Sequence, residues 1–483
     1  MATNAAPETD QASYRNIWNL AWPQVVMMFF HFTIGFTDVW VAGQIDRGVQ
    51  AAVGLISQSL FFFLVIAVAV ANGSVAAISQ SFGAGLRRRA LRYIGLVLGI
   101  GLVCGAAIWV FGRLFKWQFL AILQVPDEIL PVTGYFLDVF LLLLPCYYLM
   151  VVTNAVFRAQ KLVLIPLAST AIAAGVNAFT DFGFGLGWFG LPNFGFKGVA
   201  WATFFSVTAS TVFNVCMLHR YGLLKRDTFP PLRWARKALP YLVKVALPSG
   251  GMQLLWHLGY MVLFAITASL PFDNVNALAG MTAGMRVESL LFLPAFAFNM
   301  TGSILVGNSL GAGRKDEALR IALRLIGIAC GSMTVVAVCM YPFIDPLSAF
   351  LAPEPAVARQ AVNYLIYNLL SIPFTVASMT LGGIMMGAGA TIYTFAVYSS
   401  ATWLVRLPIA YTLGHWVWQD AEGVYLAMLI SQVFQSTAMM YILLRRDWYR
   451  FSMIKRNNKG CKAAEECGPP PLEGAKTNVR TAV

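Results

Sequence analysis

Two aspartates, an asparagine and a threonine stand out because the chain around them is apolar. Asp38 lies in "HFTIGFTDVWVAG", near the end of a run from Ile17 to Ala42 that holds no other acidic residue. Asn177 and Asp181 lie in "VNAFTDFG", four residues apart and so on one face of a helix. Thr203 closes "GVAWAT". Together they offer carboxylate, amide and hydroxyl oxygens, the donor set of a hard cation such as Na⁺. Two neighbouring carboxylates also raise one another's proton affinity, so the same set can carry a proton. Ionisable groups at membrane depth are costly and mark ion pathways. The bland alternative for each aspartate is a water-filled helix end where it satisfies local backbone.

The elements that must position these groups are membrane helices. Of the 483 residues, 58% are hydrophobic and 11% are charged; soluble domains carry about 25% charged residues. Mean hydropathy is +0.68. Apolar stretches long enough to span a bilayer recur along the chain, and lipid leaves the backbone no partner except itself, so each is a helix. Twelve spans are expected, at 17–42, 51–79, 92–115, 130–156, 162–187, 196–220, 241–270, 276–309, 321–345, 360–387, 391–416 and 423–445. The expected fold class is therefore all-α integral membrane. The first and fifth spans run outward and the sixth returns. At ~1.5 Å per residue, Asp38, Asp181 and Thr203 fall about 6, 9 and 10 Å below the outer ends of their spans.

The balance of 34 Lys and Arg against 21 Asp and Glu gives a net charge of +13. The basic residues cluster in short loops on one side, so topology explains them and no nucleic-acid partner is expected. Seventeen fall on that side: Arg87, Arg88, Arg89, Arg92, Arg158, Lys161, seven from Arg220 to Lys244, and Arg314, Lys315, Arg320 and Arg324. By the positive-inside rule both termini are cytoplasmic and the protein is a multi-pass cell-membrane protein. The first apolar run is long enough to remain as a span. The cysteines show no metal-ligand spacing.

The sequence repeats itself. "SFGAGLRRRALR" at 81–92 and "SLGAGRKDEALR" at 309–320 match at seven of twelve positions, so that Ser81 falls on Ser309. Pro145 falls on Pro373, "GVAWA" from Gly198 on "GVYLA" from Gly423, and Pro23 on Pro248, all at the same or nearly the same offset. Each half holds six spans, an even number, so the halves are related by an axis along the membrane normal with a cavity between them. The expected divisions are an N-terminal segment 1–16, a first lobe 17–220, a basic linker 221–240, a second lobe 241–445 and a disordered tail 446–483. No G-x-x-x-x-G-K-[ST], H-E-x-x-H or G-x-S-x-G is present, so neither nucleotide hydrolysis nor an intramembrane hydrolase is indicated. The reading is a transporter rather than an enzyme, without a cofactor, driven by an ion gradient.

Other polar residues carry weaker signals. His31 lies two turns inward of Asp38 on nearly the same face, as a cavity-lining or a core histidine. Arg286 and Glu288 in "GMRVESLLF" can form a structural pair or a substrate contact. Packing is expected for His257, and for Arg406 an internal partner or a position near an interface. Asn72 and Asn299 open N-x-[ST] triplets inside spans, where glycosylation does not reach.

These residues resemble the multidrug and toxic compound extrusion family. The resemblance rests on "WP" at 22–23, "TDVWVAG" at 37–43, "AAVGL" at 51–55, "SQSFGAG" at 79–85, "VNAFTD" at 176–181, "GVAWAT" at 198–203 and "VGNSLGAG" at 306–313, in order through both halves. It implies a V-shaped pair of six-helix bundles that exchanges Na⁺ or H⁺ for organic compounds, often hydrophobic cations. In the subgroup it resembles, which includes DinF-like members, the coupling site matches Asp38, Asn177, Asp181 and Thr203, and helix 1 bends at the proline matching Pro23. Another subgroup uses acids in the seventh and tenth spans. Here those regions, "PSGGMQLLWHLG" and "FTVASMTLGG", have none, which leaves Glu288 as the second-lobe candidate. The expected partners are a small organic substrate and the lipid bilayer, with the chain a monomer. The alternatives are a lipid-linked oligosaccharide flippase of the same superfamily, which would carry a more basic cavity, and a membrane-embedded transferase, for which the outer loops are too short. A cysteine placed at position 230, in the basic linker, should resist an impermeant thiol reagent applied to intact cells. Ready labelling would reverse the topology.

Overall fold

The computed structural model describes residues 12–225, 228–352 and 354–453. In chain order the first half comprises α1 (Tyr14–Ile45), α2 (Arg47–Gly83), α3 (Arg87–Leu114), short α4 (Lys116–Ile122), α5 (Leu130–Ala159), α6 (Leu164–Thr180) and α7 (Phe196–Arg220). The second comprises α8 (Leu232–Ala268), α9 (Asn274–Gly311), α10 (Lys315–Met340), short α11 (Ile344–Leu351), α12 (Pro355–Ala388), α13 (Thr391–Ser400), α14 (Leu407–Tyr411) and α15 (Ala421–Arg445). Among the described residues, ten helical stretches are continuous, long and apolar enough to cross a bilayer. The other two spans are interrupted by wide π-helical turns. One is α6, which runs on through Asp181–Gly185; the other joins α13 and α14 through Ala401–Arg406 and Thr412–Val417.

Several boundaries differ from expectation for one reason. Hydropathy registers only the apolar part of a helix, whereas backbone hydrogen bonding continues past the bilayer until a cap or turn ends it. Thus α3 begins at Arg87, α8 at Leu232 and α12 at Pro355. The linker expected to run to residue 240 is helical from Leu232, and its Thr228 is buried against Gly95 of α3. The tail expected to be disordered from residue 446 is packed as far as Met453: Trp448 is fully buried, and Gln80 Oε1 accepts from Ser452 Oγ (3.1 Å) and Met453 N (2.8 Å). Residues 454–483, with the rest of that expectation, lie outside the described residues, as do residues 1–11. Helix α1 continues through Pro23.

The lobes meet toward the basic end, where residues 12 and 453 also lie. Across that seam Gln24 Nε2 donates to Thr301 Oγ1 (2.8 Å) and Asn72 Nδ2 to Ser249 Oγ (2.8 Å). The repeated motif forms the closest contact. A Cβ on Gly83 would stand 2.0 Å from Asn308 O, and one on Gly311 would stand 2.2 Å from Gln80 O. Only glycine lets the backbones of α2 and α9 approach this far, the small-residue packing used between membrane helices. The amides beside these glycines act reciprocally: Gln80 Nε2 donates to Gly387 O (2.8 Å) and Asn308 Nδ2 to Ala159 O (3.2 Å). Gln80 falls on Asn308 and Ala159 on Gly387 at the offset of the repeat, so the seam obeys its twofold relation.

Gly83→Val and Gly311→Val should each force this seam open. A cysteine at position 303, which lines the inter-lobe cavity deeper along α9, should then be labelled from the basic face several times faster. Gln80→Ala, which adds no bulk, should act in the same direction to a smaller degree. Unchanged labelling in all three would place the closure elsewhere.

Candidate ion-coupling site

The first lobe gathers Asp38, Asn177, Asp181 and Thr203, as expected from their depth in three spans. Asn177 Nδ2 donates to Asp38 Oδ1 at 2.9 Å, and Thr203 Oγ1 to Asp38 Oδ2 at 3.4 Å. Asp181 lies against Asp38, carboxyl to carboxyl. Asn177 and Asp181 are fully buried, and Thr203 is 8% exposed. Asp38 sits seven residues before the end of α1 at Ile45, deeper than the shorter expected span implied. Tyr147 of α5, one of many aromatic residues in apolar runs and not singled out by its spacing, lies near Asp38.

The π-helical turn sets this geometry. Asp181 is its first residue, where the widened helix turns the chain toward α1 and α7. The turn is held by close packing. Gly198, at the start of α7, lies so near Phe184 O that a Cβ would stand 2.4 Å away. Its repeat partner Gly423 is pressed in the same way against Leu413 at the second lobe's π-turn, with 2.8 Å to the carbonyl carbon. The "GVAWA" and "GVYLA" echo is therefore a packing requirement shared by both lobes.

The electrostatics of the site are unbalanced. Both Asp181 oxygens and Asn177 Oδ1 are buried without a hydrogen-bond donor. Among the described residues, no Lys or Arg forms an ion pair with either aspartate. An unpaired buried carboxylate is strongly disfavoured. These carboxylate, amide and hydroxyl oxygens are a donor set that could hold a proton or a hard cation.

The second lobe has a different balance. At the offset that pairs Gly198 with Gly423, Arg406 falls on Asp181 and Met428 on Thr203, with Ser431 one helical turn beyond. Arg406 is buried, donates from Nε to Ser431 Oγ at 2.8 Å, and lies over the Tyr260 ring at 5.6 Å. Glu288 is buried, accepts from the Tyr364 hydroxyl, and feels the Arg406 charge. Of the two readings offered for Arg286 and Glu288, the structural pair does not form, because residues two apart point to different sides of a helix: Arg286 turns away while Glu288 faces the lobe interior. His257 is packed, stacked on Phe61 at 4.4 Å and edge-on to Phe62 at 5.5 Å. His31 is half-buried near Arg158.

Between the lobes lies a cavity of about 260 Å³. Asn72 and Asn299, set aside as glycosylation sites, both line it, as does Arg158, which was counted only among the loop arginines. Arg158 belongs to the last turn of α5, and no feature of the sequence shows that this turn faces the cavity.

A family model described as MatE matches residues 23–182 and again 248–412. The chain belongs to the MatE family. It is similar to the probable multidrug resistance protein NorM of Thermotoga maritima, 24% identical over 447 residues that cover 92% of this chain and 94% of that protein. It is also similar to a FAD transporter of Shewanella oneidensis, 22% identical over 440 residues covering 89% and 94%. The fold matches the crystal structure of the Vibrio cholerae MATE transporter VcmN in the bent form, with a TM-score of 0.82 and 19% identity over 90% of this chain and 98% of that one. The two MatE matches fall one in each half, as the internal repeat requires, and the fold is that of the twelve-helix, two-bundle MATE transporters. The protein is a membrane-embedded secondary transporter that exports compounds, and not an enzyme.

If a cation completes the site, it should stabilise the folded protein. A ligand at about a hundred times its Kd adds roughly 2.7 kcal/mol, so added Na⁺ or acid, at constant ionic strength, should raise the melting temperature in detergent by several degrees. Asp181→Asn supplies a donor to Asp38 and should raise the baseline while cutting that response by at least half. A full response in the variant would place ion binding elsewhere.

Proposed function

We propose that this transporter is a cation-coupled antiporter, taking in H⁺ or Na⁺ at Asp38, Asn177, Asp181 and Thr203 while exporting an organic compound. One observation carries the reading: a fully buried Asp181 faces a half-buried Asp38, with no donor on Asp181 and, among the described residues, no basic partner on either. The second lobe supports it by contrast, since a fixed arginine there already provides the positive charge. The cargoes for which relatives are named, drugs in one case and FAD in another, support export of organic molecules.

Helix α1 links the site to the seam. It carries Asp38 in one half and Gln24 in the other, where Gln24 bonds to α9 of the second lobe. An ion among the four side chains draws α1, α6 and α7 together, which changes how α1 presents Gln24 to the second lobe. An ion biases the conformation only through different affinities for the two states, and the carboxylate charge supplies that difference. With the basic end placed in the cytoplasm by the positive-inside rule, the seam described above closes the cavity on the cytoplasmic side, which is the state that releases cargo outward.

Asp38→Asn should fold and reach the membrane but fail to export against a gradient. The measurement is uptake or efflux in vesicles under an imposed Na⁺ or H⁺ gradient, with expression matched. Wild-type rates in both Asp38→Asn and Asp181→Asn would move the coupling site away from the first lobe, with Glu288 next in line.

A further inference from the structure

We propose that the inter-lobe cavity binds an amphipathic organic anion, with its acidic group on Arg158 and its apolar body against the aromatic wall. The inference rests on this cavity being the cargo path of the exporter, and on nothing about the coupling ion. The wall is built from aromatic, methionine, amide and hydroxyl side chains of both lobes, and Arg158 is its one charged residue among those described. No carboxylate among the described residues lines the cavity. Among the described residues, no carboxylate or carbonyl accepts a hydrogen bond from the Arg158 guanidinium, and His31, which lies within reach of its charge, cannot offset a positive charge.

The chemistry follows from that imbalance. A guanidinium partly removed from water and left without a counter-ion favours a ligand that brings one, and its planar fork suits a carboxylate, sulfonate or phosphate in bidentate contact. Phe61, Trp256, Phe292 and Phe296 supply flat apolar surface for the rest of the ligand. Asn72, Asn299 and Gln432 can meet its neutral polar groups, and Gln432 Oε1 is buried without a partner. Aromatic faces also attract cations. Here such a cation would share a small cavity with an uncompensated Arg158, and the Tyr260 ring already faces Arg406. The resemblance drawn from sequence pointed to hydrophobic cations as common cargo, whereas the charge in this cavity has the opposite sign to the one that would hold them.

Two dyes on the same xanthene frame separate the possibilities: carboxyfluorescein is an anion and rhodamine 123 a cation. Equilibrium binding to the purified full-length protein, followed by fluorescence polarisation without any gradient, reads the cavity alone, so an outcome here is independent of whether Asp38 couples export. Wild-type protein should bind carboxyfluorescein at least roughly tenfold more tightly than rhodamine 123, the scale of one charge-assisted contact. Arg158→Gln should erase that preference, and Arg158→Lys should restore part of it. A preference for rhodamine 123, or a preference unchanged in a folded Arg158→Gln protein, would overturn the proposal. Competition with phosphatidylglycerol in mixed micelles tells the source of the anion. Arg158-dependent displacement of the dye would support a lipid headgroup, and its absence a soluble compound.

Discussion

Gln80 and Asn308 each send an amide across the lobe boundary to a helix-end carbonyl of the other half, and the glycines three residues beyond let the two backbones touch. Most of the remaining architecture depends on this reciprocal seam. Because donor and acceptor are related by the repeat, the contact is self-complementary in the way of a twofold dimer interface, although one chain supplies both sides. It places the cavity above it, brings α1 against α9, and gives the tail at Ser452 and Met453 a surface on which to pack. A contact made of tight backbone approach and a few hydrogen bonds has no intermediate position, which suits a transporter that must alternate between two states.

The two lobes share a scaffold and differ in charge. Both place a π-helical turn against the N-terminal glycine of the following helix, at Gly198 and at Gly423. On that common frame the first lobe carries Asp181 and the second carries Arg406 at the matching position. The first site lacks positive charge and the second contains it. A duplicated fold has thus become asymmetric by substitution at positions that the backbone already aimed inward: carboxylates without a basic partner in one lobe, among the described residues, and a buried guanidinium in the other.

Charge balance governs the cavity as well. Arg158 at the end of α5 is one of the basic residues that set topology, yet its side chain turns inward to line the space between the lobes. A positive-inside count cannot distinguish a side chain that anchors a loop from one that faces a cavity, since both lie at the same depth on the same side.

Class, span count and duplication were all legible in the chain before any coordinate, as was the grouping of Asp38 with Asn177, Asp181 and Thr203. They follow from hydropathy, from the recurrence of Ser81–Arg92 at Ser309–Arg320, and from the cost of burying polar groups in lipid. Glycines in the repeated motif were visible as letters, but only the packed molecule shows Gly83 against Asn308 and Gly311 against Gln80 across the lobes. Packing also settled that Glu288 turns to Tyr364 instead of Arg286, that Arg406 is held inside the second lobe, and that Asp181 begins a π-turn with no donor on its oxygens. Each of those outcomes depends on which face of a helix meets which neighbour. Periodicity gives the faces of one helix, whereas their partners are fixed only when twelve helices pack and backbone contacts select one rotation for each.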